Sequence, residues 1–276
     1  MRLRRAETGD ADFVAGLLDH DEVEPFLSAR RPRGRDAVQA LIERSQQDPN
    51  VAGLFVIEVE GEPAGTMEFE TDNGRSRIAY LGGLALDPRF RGRGLAEEGA
   101  RALQRHLLLD LGFHRLQLEI YGFNDRAIRH AERVGFVHEG TKRRAYRRHG
   151  GWQDGVMFGF VREDLGLPPG VDLLYEYVAR HNQGVRTGDW EALGELLTDD
   201  ARLEFDGVAA GPFAGRDAIV AAYGERPPDD EVRVLSAEEG DPVVARYAWL
   251  VAPGEDAGRL ELTAAGGLVE RILVGV

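Results

Sequence analysis

The chain has 276 residues, 34 Lys+Arg against 48 Asp+Glu, a formal charge of −14 and no cysteine. The missing cysteine excludes disulfide scaffolds, Cys-ligated zinc, iron–sulfur clusters and thiol nucleophiles, and fits a reducing, cytoplasmic setting. The first ten residues hold no apolar signal core and no run nears about 18 apolar residues, so neither secretion nor membrane spanning is expected.

Asp10 to Leu18 has helical apolar spacing (Phe13, Val14, Leu17, Leu18), with Thr8 or Asp10 as N-cap. A second helix is expected near Arg35–Gln46, with Ala37, Val38, Leu41 and Ile42 on one face. Then the period changes. Val51–Val59 reads as a strand, Glu60–Pro63 as a hairpin turn, Ala64–Glu70 as the returning strand, and Arg77–Leu86 as a third strand. A helix from about Leu95 to Leu111, a strand at Leu116–Tyr121, a helix at Arg126–Val134 and a strand at Val156–Val161 complete this half. An antiparallel meander running into strand–helix–strand–helix makes a mixed α/β domain.

Between the third strand and the next helix lies Asp87-Pro88-Arg89-Phe90-Arg91-Gly92-Arg93-Gly94-Leu95-Ala96. In a chain with 35 glycines and 33 arginines, Arg-x-x-Gly-x-Gly alone is weak evidence. Its setting adds meaning. Glycines let a ligand approach the backbone, and the first amides of the following helix point outward unpaired. With the helix dipole they suit a diphosphate, and Arg89, Arg91 and Arg93 add positive charge. A Rossmann site is excluded by the spacing and by the lack of an acidic residue about 20 positions on.

Gly166-Leu167-Pro168-Pro169-Gly170 breaks any helix, and the charge changes there. Residues 1–166 carry 25 basic and 27 acidic side chains, whereas residues 167–276 carry 9 and 21. Two domains are therefore expected, 1–166 and 171–276, joined by a linker at 167–170. The acidic balance of the second excludes nucleic acid as its partner. In that domain Leu173–Val185 reads as an amphipathic helix with Leu174, Tyr177, Val178 and His181 inward. A short helix follows at Glu191–Leu197, a strand at Leu203–Phe205 and a helix at Ala218–Tyr223. Four strands close the chain: Val232–Leu235, Val243–Val251, Gly258–Thr263 and Gly267–Val274. Three helices and a curved antiparallel sheet make a small α+β cone.

Over residues 1–165 the chain resembles the GNAT acetyltransferase superfamily. The resemblance rests on Tyr80–Leu86, the loop Arg89–Gly94, Asn124-Asp125-Arg126-Ala127-Ile128 and Gly135-Phe136. It implies a fold with a splayed mixed sheet, in which acetyl-CoA lies between the strands of Leu84–Leu86 and Leu116–Tyr121. Cofactor contacts would then come from Leu84, Ala85, Leu86, Arg89, Arg91, Gly92, Arg93, Gly94, Leu95, Ala96, Asn124 and Ala127, with Gly82-Gly83 forming a bulge that starts the splay. No metal is implied. The family often has a Tyr seven residues after the Asn, where this chain has Ala131, and a Glu where it has Tyr80. Ala131, with Glu139-Gly140 and Gly150–Asp154, is more similar to the branch acetylating ribosomal-protein N-termini, which also includes polyamine and antibiotic acetyltransferases. The thiolate acid stays unassigned. Glu68, Tyr80 and Tyr146 are the candidate catalytic side chains, against a reading of Glu68 and Glu70 as a solvated strand face. The run Lys142-Arg143-Arg144 reads as a solvated loop.

Residues 171–276 resemble the SnoaL-like and ketosteroid-isomerase-like group through Gly188–Leu193, Leu197–Ala201 and Gly215–Ile219. Tyr177 matches an oxyanion-donor position. The base position is Phe205, however, and no Asp lies near Leu260, so a non-catalytic role in acceptor binding or homodimerisation is expected. The leading reading is an N-acetyltransferase taking acetyl-CoA and a small-molecule or peptide amine, with cationic acceptors favoured by the acidic second domain. Two alternatives stay open: an acyl-CoA-binding regulator without turnover, and a second-domain enzyme or binder for a polyketide- or steroid-like ligand.

Overall fold

In the computed structural model, which describes every residue except 29, 30, 208, 253 and 276, the chain divides into two units, Met1–Leu165 and Gly166–Val276. The first contains β1 (Arg2–Arg5), α1 (Ala11–Leu18), α2 (Gly34–Gln47), β2 (Ala52–Val59), β3 (Glu62–Asn73), β4 (Ile78–Leu86), α3 (Leu95–Arg105), β5 (Arg115–Tyr121), α4 (Asp125–Arg133), β6 (Val137–Arg148) and β7 (Gly151–Val161). Its sheet has the order β1-β2-β3-β4-β5-β7-β6. Neighbours are antiparallel except β4 and β5, which run parallel because α3 carries the chain back between them.

β2 is almost wholly buried, as its unbroken apolar run requires of a strand covered on both faces. Val14, Leu17, Val38 and Ile42 from α1 and α2 pack on Leu54, Val56 and Ala85. Alternation turns Ile57 to the opposite face, where α3 lies. A Cβ added at Gly99 of α3 would sit 3.2 Å from Ile57 Cδ1, so that glycine permits the close approach.

Two strands of this sheet carry no apolar alternation. β1 is held by ion pairs: Arg4 forks onto Asp10 at 2.7 and 2.8 Å and reaches Glu58 at 2.7 Å. Asp10 precedes α1, but its carboxylate goes to Arg4 and the Glu7 amide instead of capping the helix. β6 is an edge strand exposed along most of its length, so nothing in its burial imposes a period-2 pattern. The helix expected to reach Leu111 leaves regular α geometry after Arg105 and continues as a π-helical turn, His106–Asp110.

The second unit contains α5 (Pro169–Thr187), α6 (Glu191–Gly194), β8 (Leu197–Asp206), β9 (Phe213–Ala214), α7 (Arg216–Glu225), β10 (Val232–Glu238), β11 (Val243–Trp249), β12 (Gly258–Ala265) and β13 (Leu268–Gly275). α5 has Pro169 in its first turn and ends at Gly188 with φ +74°, the usual asymmetry of helix ends. Its Leu174, Tyr177, Val178 and His181 are buried. The sheet order is β10-β11-β12-β13-β8-β9, six strands where five were expected, the short β9 being the addition, and β8 runs parallel to β13 in place of an all-antiparallel sheet. β8 begins before the expected Leu203, at Leu197: Asp199 and Asp200 interrupt its apolar pattern, and its pairing with β13 shifts register between Leu197 and Arg202.

Asp10 is 8 % exposed and Arg4 holds its carboxyl below the usual carboxylate range, with burial opposing. Its stabilisation is complete above the unfolded-state value and is lost as pH falls through the depressed folded-state value. Asp10→Asn should therefore lower unfolding stability by about 2 kcal/mol at pH 7. The deficit should shrink at strongly acid pH; equal urea midpoints at pH 7 would remove the role given to this pair.

Candidate active site

β4 and β5 pair at only three positions, Ile78↔Arg115, Ala79↔Leu116 and Tyr80↔Gln117, and then part. On its other side β4 stays bonded to β3, through Ala85↔Thr66 and Leu86↔Gly65. Between the pairs Glu68↔Gly82 and Thr66↔Ala85 lies a register shift, with Gly83 at φ +61° and its carbonyl accepting from Thr66 Oγ1 at 3.0 Å. Glycine meets the positive φ without strain, and the bulge bends β4 away from β5. Beyond it the facing backbone edges of Leu84–Leu86 and Leu118–Tyr121 have no ladder between them. An extended chain could add there as a strand does.

The loop follows directly. Asp87 accepts from the Arg89 amide and pairs with its guanidinium at 2.7 Å. Arg91 pairs with Glu22 at 2.6 Å, while Arg93 lies over the buried Phe90 ring. Two of the three loop arginines thus already have carboxylate partners. Gly92 and Gly94 both have φ +76°, and an added Cβ at either would meet nothing within 4 Å. They are needed for backbone conformation, not for room. Among the described residues the amides of Gly92, Arg93, Gly94, Leu95 and Ala96 have no acceptor. Five open amides at the start of α3 fit a diphosphate. Asn124 and Ala127 are engaged with each other: the Asn124 side chain caps α4 by accepting from the Ala127 amide at 3.1 Å.

The candidate catalytic side chains stand on the sheet face next to the parting. Glu68 faces Gly82 across the β3–β4 register, and a Cβ added at Gly83 would fall 2.8 Å from its Cγ and Cδ. Its carboxyl lies against the bulge and not on a solvated face. Burial, reinforced by Glu70, pushes it above the usual carboxylate range. Glu70 is exposed and pairs with Arg44. Burial, with Glu119 beside it, pushes the Tyr80 hydroxyl up to about 12, although 37 % of the residue remains exposed. Tyr146 sets its ring edge-on to Tyr121 at 5.2 Å.

One functional candidate was not singled out from the sequence. Glu119 of β5 stands in the same cluster and pairs with Lys142 at 2.7 Å, so the Lys142 run is not merely a solvated loop. The alternation Gln117, Glu119, Tyr121 is the one signal that could have found Glu119, since it places three polar side chains on one strand face. In the second unit, the Tyr177 hydroxyl meets Tyr223 at 2.8 Å with both rings buried, among Trp190 and His181. Burial lowers His181 to about 4, so it stays neutral at ordinary pH.

The sequence model of the acetyltransferase (GNAT) family matches residues 17–136, and that of the SnoaL-like domain matches residues 178–267. An uncharacterized N-acetyltransferase from the SPbeta prophage of Bacillus subtilis is 28 % identical over 154 residues, covering 55 % of this chain and 85 % of that protein. The structure of a spermidine N-acetyltransferase from Vibrio cholerae, in complex with CoA and spermine, superposes with a TM-score of 0.55 at 21 % identity. It covers 60 % of this chain and 98 % of its own. The ribosomal-protein-S5-alanine acetyltransferase from Vibrio fischeri gives a TM-score of 0.53 at 18 % identity, covering 59 % and 93 %.

The bulge is the most sensitive point of this geometry. Gly83→Ala combines a positive φ with a methyl group pressed on Glu68, and should cost roughly 1–3 kcal/mol. A denaturant midpoint unchanged from wild type would show that Gly83 is not under that constraint.

Proposed function

The chain carries an acetyltransferase domain of the GNAT family followed by a SnoaL-like domain, and from that premise we propose that it transfers an acetyl group from acetyl-CoA to the primary amine of a small molecule or a peptide. The observation that carries this reading is the coincidence of two vacant backbone surfaces, the parted edges of β4 and β5 and the five open amides at the start of α3. Acetyl-CoA, when bound, supplies the activated acetyl thioester.

Each part of the site has a task in this reading. Amides of Gly92 to Ala96 hold the diphosphate, helped by the α3 dipole, and Arg93 adds charge because it has no carboxylate partner among the described residues. The edges of Leu84–Leu86 and Leu118–Tyr121 hold the extended arm. A backbone N–H of β4 beyond the bulge, at Leu84 or Leu86, polarises the carbonyl. Glu68, whose affinity for a proton burial has raised, takes a proton from the acceptor amine directly or through water. The net change is one N–C bond made and one C–S bond broken, with the CoA sulfur leaving as thiolate and taking up a proton. Tyr80 holds its own proton at neutral pH and can donate a hydrogen bond.

We assign the second unit a non-catalytic role. Its one side chain matching isomerase chemistry, Tyr177, is 2 % exposed and bonded to Tyr223, and Phe205 stands where a base is required. Tyr177→Phe should leave acetyl transfer unchanged while lowering the unfolding midpoint; a fall in turnover without a change in stability would contradict the assignment.

Thiol release from acetyl-CoA over a panel of primary amines tests the main reading. Turnover is expected with at least one amine. Gly92→Glu should reduce it at least about 100-fold, because it puts a negative charge and a strained φ at the diphosphate amides. Tight acetyl-CoA binding with no thiol release across the panel would leave an acyl-CoA-binding regulator in its place.

A further inference from the structure

We propose that the Glu119 carboxylate is the seat for the positively charged amino group of the acceptor, and that Lys142 occupies this seat in the resting protein. This rests on the acetyl-transfer reading and gives it a substrate class, primary alkylammonium ions.

Glu119 stands on β5 just past the last β4–β5 pair, Tyr80↔Gln117, on the face that carries Tyr80. Only 8 % of its side chain is exposed. Its Oε2 accepts from Lys142 Nζ at 2.7 Å, but its Oε1 is buried without any partner. A carboxylate offers about four acceptor sites, and leaving one oxygen dry and unbonded is costly. The space around Oε1 is made by a missing side chain: a Cβ added at Gly155 of β7 would fall on Oε1, and would lie 2.8 Å from Tyr146 Cε2. The arrangement is a carboxylate in a notch with an aromatic edge over it, filled on one oxygen by a tethered ammonium.

The occupant differs in kind from the chain's other cations. Lys142 is the one lysine in the sequence, a compact ammonium with three donors, and 51 % of its side chain is exposed. The strand that holds it is irregular there. β6 loses register with β7 between Lys142 and Tyr146, and Arg144 sits at φ +49° with its amide held by Asp154. The tethered ammonium and the aromatic cover therefore flank one distorted stretch of an edge strand, where displacement disrupts few ladder bonds.

The surroundings favour a cation with an apolar or aromatic-compatible body. Glu70 and Asp72 lie on the same sheet face, Asp72 accepting from Gln117 at 2.9 Å. Tyr121 stacks on Phe123 at 5.4 Å beside Tyr146, a wall able to take the arm of an alkylammonium. Arg148 lies over Tyr121 but is committed to the carbonyls of Glu24, Pro25 and Leu27.

Calorimetric titration of spermidine into the CoA-saturated full chain tests the seat, alongside thiol release with spermidine, 1,4-diaminobutane and an alanyl peptide. Glu119→Gln keeps shape and removes charge; it should weaken spermidine at least about tenfold and leave CoA affinity unchanged. Lys142→Met should act the other way and tighten spermidine, because the resident competitor is gone. A purely structural ion pair would not give opposite signs: if both variants weaken binding and lower the unfolding midpoint together, or if wild type does not bind spermidine, the seat is overturned. Turnover by wild type with an unchanged spermidine constant in Glu119→Gln overturns the seat alone. Opposite shifts in binding without thiol release from any of the three amines leave the seat standing and remove the acetyl-transfer reading.

Discussion

Beyond Tyr80 and Gln117, two neighbouring strands of one sheet stop bonding to each other, and much of the first unit is arranged around that fact. A sheet interior does not ordinarily leave facing amides and carbonyls idle. The parting is maintained because β4 stays anchored to β3 while the bulge at Gly83 redirects it, with Thr66 fixing the Gly83 carbonyl. Glu68 is drawn into the same device, since its carboxyl fills the space that a side chain at Gly83 would need. One local irregularity thus opens the cleft, buries a carboxyl beside it and leads into a loop whose amides have no acceptor among the described residues.

Charge in this unit is largely settled internally. Arg4, Arg89, Arg91, Arg115 and Arg133 each have a carboxylate within hydrogen-bonding distance. Most of these pairs are at least partly exposed and contribute little to stability. Arg4 is the exception in kind, because it ties β1 to Asp10 and Glu58 at once. Glu119 is different again: it is a buried carboxylate with half of its bonding capacity unspent, at the mouth of the cleft.

Several buried polar side chains of the second unit bond to one another or to backbone. Tyr177 bonds to Tyr223, and Asn182 clamps the Val232 backbone through both its amide nitrogen and its oxygen. Trp190 stacks on Tyr223 at 4.7 Å, and the edge of neutral His181 fills the remaining side. Closed pairs of this sort specify packing more than they offer chemistry.

What the sequence by itself determined was whatever depends on neighbours in the chain. The helix starting after Gly94, the turn at Gly61 and the apolar run of β2 follow from backbone preference and local periodicity, and so did the mixed α/β character. The loop Arg89–Gly94 was legible because its positive-φ glycines and the helix after them are contiguous. The tertiary structure alone decided what depends on residues far apart. β6 carries no sequence signal because an exposed edge strand needs no alternation, and β1 carries none because ion pairs hold it in place of apolar contacts. The local pattern of β3 is equally compatible with a solvated Glu68, and only the fold brings Gly83, 15 residues later, against it. Glu119, Lys142 and Gly155 come from three strands, and pairing across a sheet joins residues that no spacing along the chain connects.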